Sequence, residues 1–226
     1  MPVSKNRVAY HIRELKMKNL HAVLSMVLGM FLILVVGCIP PLTVNPLYTE
    51  KDIVYDPDIA GLWSKDDLKE AWQFTKGDGD FYNLKILSED GTSSYVVYLF
   101  KIGDVLYMDA YPDLEWIKSN EKNPIMLMIP AHVFFQVKKA ESTLELTALD
   151  QEWLAEYIKD HPDAIPYEVI FDEKHLSTKD IDPLILITAS TEKLQNFVIK
   201  IQTIKDAFDK GVKVKLQRSE LPNGRS

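Results

Sequence analysis

A chain of 226 residues, 46% hydrophobic and 26% charged, has the makings of one ordinary globular domain and not of a disordered polymer. Its formal charge of −7 is unevenly spread: five basic groups (Lys5, Arg7, Arg13, Lys16, Lys18) and one acid (Glu14) precede Cys38, which leaves 21 basic and 32 acidic residues from there on, a balance of −11. Such a domain excludes binding to nucleic acid by phosphate neutralisation and gains no electrostatic hold on anionic lipid, and a single cysteine excludes both an internal disulfide and a cysteine-built zinc site.

The first element is an apolar run, Ala22 to Ile39, with no charge over 18 positions, just long enough to cross a bilayer as a helix. It follows a basic segment, so it reads either as a signal peptide or as an uncleaved anchor, and both export what lies beyond residue 40. Val35-Val36-Gly37-Cys38 at its end resembles the lipobox of bacterial lipoproteins: aliphatic at −3, Val at −2, small Gly at −1, then the thiol. That resemblance implies cleavage between Gly37 and Cys38, diacylglycerol on the Cys38 sulfur and acylation of the new amino group. Two or more acyl chains are also what stable anchoring requires, since one chain binds only marginally. Residues 1–37 are accordingly read as a lipoprotein signal peptide, which takes a more compact length if translation starts at Met17. Ile39 stands where Asp would retain a Gram-negative lipoprotein in the inner membrane, which points to the outer one.

Residues 38–50 follow as the lipid-bearing cysteine and its tether. Pro40, Pro41 and Pro46 within a stretch of no periodicity predict an extended spacer. Residues 51–217 are read as a single globular α+β domain and 218–226 as a disordered tail. Within the domain, Glu70–Lys76 alternates apolar with polar and meets Gly77-Asp78-Gly79-Asp80. Further strand-like runs cover 81–87, 95–102, 105–111, 132–139 and 143–149, broken by Gly/Asp turns or by Pro112. Turns about ten residues apart predict an antiparallel meander, because short loops cannot make parallel crossovers. Tyr95–Phe100 and Val105–Met108 are apolar on both faces and therefore need cover on both sides.

The second half supplies that cover. Asp150 caps a predicted helix over 151–159 whose Trp153, Leu154, Tyr157 and Ile158 share a face. Short runs at 167–171 and 184–189 precede a longer helix, capped by Ser190 or Thr191. Its stripe of Leu194, Phe197, Val198, Ile201, Ile204 and Phe208 runs to Gly211. The fold class expected is α+β: an antiparallel, partly barrel-like β-meander followed by packing α-helices. Eight regular strands are not evident.

Gly61-Leu62-Trp63 opens the meander. This Gly-x-Trp resembles the start of lipocalins and related calycin barrels, where the Trp closes the barrel floor, and the resemblance implies a half-open barrel able to hold a small apolar ligand. The chain as a whole resembles bacterial lipoproteins that carry a Tyr/Asp/Pro-containing segment before such a start.

Candidate chemistry is sparse. His132, His161 and His175 have neither H-x-H nor H-x-x-x-H spacing, which leaves no metal site, and neither Ser93-Ser94 nor Ser177 lies in a nucleophile-elbow context. Asp78-Gly79-Asp80 and Ser88-Glu89-Asp90-Gly91 lack the twelve-residue calcium-loop pattern and read as hairpin tips. Asp109, between Tyr107 and Tyr111, is either exposed at an edge or buried with a partner, with a neighbouring hydroxyl the expected one. Trp63, Trp72, Tyr98, Tyr107 and Asp109 form the candidate ligand pocket, weighed against an ordinary aromatic core. The functional expectation is a non-catalytic interaction module of the cell envelope, held to the membrane by lipid on Cys38, without a cofactor and with an envelope protein as partner. The alternative is a lipocalin-like binder.

Overall fold

The computed structural model describes residues 40–65, 69–119, 130–171 and 184–219. The expectations for the signal peptide, the Gly37/Cys38 cleavage site, lipid on Cys38, and His175 and Ser177 lie outside those residues. The described elements are β1 (Leu42–Thr43), β2 (Ile53–Val54), β3 (Gly61–Ser64), β4 (Glu70–Lys76), β5 (Tyr82–Ser88), β6 (Gly91–Ile102), β7 (Val105–Pro112), α1 (Leu114–Ser119), β8 (Val133–Lys139), β9 (Thr143–Ala148), α2 (Gln151–Asp160), β10 (Tyr167–Phe171), β11 (Leu184–Ile187), α3 (Thr191–Ile201) and β12 (Lys213–Ser219).

Strands β3 to β9 and β12 pair in the order β6-β5-β4-β3-β12-β9-β8-β7, and β7 returns to β6 over Tyr95↔Pro112 through Ile102↔Val105. The result is a closed, eight-stranded antiparallel barrel with no free edge between neighbouring staves. Strand β2 adds to β6 at Ile53↔Phe100, beyond the reach of β5. Closure corrects the expectation of a half-open barrel without eight regular strands. The α+β class shifts toward β, because among the described residues the strands far outweigh the short helices that accompany them.

Alternation along each strand sorts side chains to the two sides of the wall. Trp63, Phe74, Tyr82, Leu84, Val97, Leu99, Met108, Leu144, Leu146 and Leu216 belong to the cluster that fills the barrel, each buried. The opposite parity on β6 and β7 (Phe100, Ile102 and Tyr107) faces a second core outside the barrel, built with Leu154 and Ile158 of α2, Ile185 and Ile187 of β11, and Leu194, Phe197 and Val198 of α3. This is the cover that two-faced apolar strands require. Asp150 caps α2 by accepting from the Trp153 N–H at 2.6 Å, and Ser190 caps α3 by accepting from the Lys193 N–H at 3.5 Å.

Three boundaries differ from expectation. Residues 40–50 are not a spacer: β1 pairs parallel with β11, Thr43 and His132 exchange backbone hydrogen bonds at 3.0 and 2.8 Å, and Leu47 is fully buried. Helix α3 stops at Ile201, and Ile204 of the expected stripe is 39% exposed, although Ala207 and Phe208 still reach the outer core. The turn that replaces the helix brings Gly211 so close to β9 that a Cβ there would lie 2.0 Å from the Ala148 carbonyl oxygen. Finally, Arg218 belongs to β12 and not to a frayed tail; residues 220–226 lie outside the described set.

Candidate functional site

The five side chains expected to line one pocket stand on two sides of the barrel wall. Trp63 and Trp72 are cross-strand partners that point inside, where Trp63 donates from Nε1 to the Ile59 carbonyl at 2.9 Å. Tyr107 points outward, stacked on Phe100 with centroids 5.7 Å apart, and donates its hydroxyl to Gln202 Oε1 at 3.1 Å while accepting from Gln136 Nε2 at 3.4 Å. Tyr98 and Asp109 are direct partners across β6 and β7, on the outward parity. The expected pocket therefore divides into a barrel core and an outer site.

That outer site centres on Asp109, 1% exposed, whose Oδ1 lies 2.7 Å from His132 Nδ1. Its partner is thus an imidazole 23 residues away and not the hydroxyl expected. The other carboxylate oxygen, Oδ2, is buried with no hydrogen-bond partner. Burial pushes the Asp109 carboxyl above the usual carboxylate range, against the opposing pull of the His132 hydrogen bond and charge and of the Leu47 backbone N–H. Tyr111 packs tilted against His132 with ring centres 4.5 Å apart, and Tyr48 from the N-terminal arm stacks on Tyr98 at 4.7 Å. Burial first, then the Asp109 carboxylate, pushes the Tyr48 phenol upward, so it holds its proton and offers no anionic nucleophile near neutrality.

The chemistry of this cluster is fastening. Asp109 orients His132 through Nδ1; the His132 backbone holds Thr43; Thr43 leads to Leu47 and Tyr48, which return to the carboxylate. Three further bonds fix the same arm: Asn45 Nδ2 to Ala189 O at 2.9 Å, Thr191 Oγ1 to Pro46 O at 2.8 Å, and Gln195 Nε2 to Leu47 O at 3.0 Å. His132 and Tyr48 are absent from the pocket proposed from sequence. The only signal for them was a histidine at a strand entry and an aromatic beyond a proline-bearing stretch.

Two open clefts lie elsewhere. One of about 400 Å³ is lined by Pro57, Asp58, Lys139, Ala140, Glu141 and Arg218 at a barrel end. Lys139 and Asp58 are paired there, with Lys139 Nζ donating to Asp56 Oδ2 at 2.5 Å and Asp58 Oδ2 at 3.1 Å. The other, about 340 Å³, lies beside α2 against Tyr157, His161, Phe197 and Lys200, where His161 caps the helix and stacks on Tyr157 at 4.4 Å. Among the described residues no group of three or more His, Cys, Asp or Glu side chains is placed to hold a metal ion, and no helix is long and apolar enough to cross a membrane. No protein-family model, curated protein or solved structure matches this chain.

Proposed function

We propose that the chain is a lipid-anchored, non-catalytic interaction module of the bacterial cell envelope, held to the membrane through Cys38 and acting by contact with an envelope protein. The observation that carries the non-catalytic, surface-acting part is the filled barrel. An eight-stranded barrel has room for side chains or for one small ligand, and here Trp63, Phe74, Tyr82, Leu84, Leu144 and Leu146 are each no more than 2% exposed inside it. A barrel so filled is a scaffold, and binding then falls to its outer surface. The membrane half of the reading draws on the lipobox-like Val35-Val36-Gly37-Cys38 and on the −11 balance beyond it, which leaves holding to the lipid. Ile39 favours the outer membrane in a Gram-negative host.

The second reading is a lipocalin-like binder of a small apolar ligand, favoured by the closed eight-stranded barrel and its Gly-x-Trp start. Native mass spectrometry of the full processed chain purified from its membrane separates the two. A stoichiometric protein partner is the expected result; a retained apolar small molecule in its place overturns the interaction module. The anchor has its own test. Cys38→Ser is expected to accumulate unprocessed precursor and to lose incorporation of labelled fatty acid, and survival of both would sink the anchor.

A further inference from the structure

We propose that the domain is seated directly on the bilayer, through the end of the small sheet at which β1 begins, and does not swing on a tether. The inference rests on the anchor reading, since Cys38 must carry the lipid. Only Ile39 separates Cys38 from Pro40, and Pro40 and Pro41 are already buried. Two residue steps span at most about 7 Å of backbone. The acyl chains can therefore enter the membrane only if the beginning of the domain is at its surface.

The arm that sets this distance cannot peel away cheaply. Val44 donates its N–H to the Ile187 carbonyl at 2.9 Å, directly after the paired Leu42 and Thr43, and Thr43 is bonded on its other side to His132. Leu47, fully buried, and the Tyr48–Tyr98 stack fasten the next turn of the arm to the barrel wall. Undoing them would expose the buried face of Asp109. Val44, directly after β1 and within three residues of Pro41, is 44% exposed and carries an apolar side chain. The occupant of the surface is a lipid bilayer, and a zwitterionic one suffices. The seat is imposed by length, whereas the acidic balance of the domain would only weaken it on anionic lipid.

The experiment uses the full, processed chain in phosphatidylcholine vesicles, with Val44→Cys carrying a fluorescent donor and a headgroup-labelled lipid as acceptor. Mass spectrometry of the same preparation first establishes whether Cys38 carries diacylglycerol; a preparation incorporated without it overturns the anchor reading itself. With the lipid present, strong energy transfer is expected. A fifteen-residue Gly/Ser insertion between Ile39 and Pro40, which adds about 20 Å of r.m.s. reach, should lower transfer at least threefold. Weak transfer that the insertion leaves unchanged overturns the seating while the anchor stands. A matching comparison, amide exchange at residues 42–48 of the unlabelled protein on vesicles, guards against disruption by the label: slower exchange than in the inserted variant is expected, and equal exchange counts against the seat.

Discussion

Arg218 and Trp63 are cross-strand partners, and the guanidinium carbon of the first lies 4.5 Å from the ring centre of the second. The contact straddles the seam between β12 and β3. Arg218 also donates from Nη1 to the Ala60 carbonyl at 3.3 Å and from Nη2 to the Asp58 carbonyl. The Gly-x-Trp glycine makes room for it: Gly61 has φ of 135°, and a Cβ there would sit 2.8 Å from Arg218 Nη1. Arg218→Ala should lower stability by about 1–2 kcal/mol, combining a cation–π contact with charge-assisted hydrogen bonds. Arg218→Lys should recover less than half, because a point charge cannot serve ring and carbonyls together. Urea midpoints of the three proteins check this.

Gly211 offers a sharper test of close approach. The nearest atom to its missing Cβ is backbone, the Ala148 carbonyl oxygen, and backbone cannot rotate aside. Gly211→Ala should cost about 2–3 kcal/mol, at the upper end of overpacking effects. Gly79→Ala, whose Cβ would meet Phe81 only at ordinary contact distance of 3.5 Å, should cost well under half of that. Thermal denaturation of the two variants compares them directly.

Buried phenols predict an alkaline limit. Burial pushes Tyr107 up to about 12 against a hydrogen bond from Gln136, and burial pushes Tyr82 up to about 12 as well. A folded value above the ordinary 10 means that the folded protein favours the protonated phenol. The stability this contributes is complete below pH 10 and is lost as pH rises from 10 through about 12. Absorbance titration at 295 nm should show these phenols ionising only near pH 12, together with unfolding, and Tyr107→Phe should remove one late-titrating group.

The Asp109–His132 pair predicts opposite outcomes for its two halves. His132→Ala should destabilise by about 3 kcal/mol, because it leaves a buried carboxyl with only the Leu47 backbone N–H for a partner. Asp109→Asn should behave differently with pH. The raised carboxyl value means that the wild type loses stability as pH climbs from the ordinary carboxylate range through the folded value. The asparagine variant lacks that loss, so its stability relative to wild type should be higher at pH 7 than at pH 4. Guanidinium melts at the two pH values decide it; an unchanged difference would show that the carboxyl is not raised.

The elements that carry strong local punctuation were legible before the structure. Strand β4 has the bounds its alternation predicts, and α2 begins after Asp150 as the cap requires. Strand β12 was not, although Lys213-Val214-Lys215-Leu216 alternates cleanly, because its outward positions are charged and it follows what reads as a long helix running to Gly211. The site was legible only in part for a related reason. Strands β6 and β7 are apolar on both parities, so no sequence pattern says which parity faces inward, and Trp63 could not be separated from Asp109. Nor does spacing disclose His132 as the partner of Asp109, since their meeting depends on the register Ala110↔Val133 between β7 and β8. The arm misled through its prolines. They forbid helix but are equally at home in an extended segment clamped to a sheet.

The seam between β3 and β12 has a consequence for synthesis. Ser64 Oγ and Ser219 Oγ, 2.6 Å apart, are separated by 155 positions in the chain. Until Lys213–Ser219 emerges from the ribosome, β3 and β9 both present bare edges, and an incomplete chain is an open sheet ready to join another. Closure then waits on the longest loop the barrel contains, a topology that folds slowly. Ending the chain before Lys213 would therefore remove a stave of the barrel and leave nascent-like edges on a finished protein.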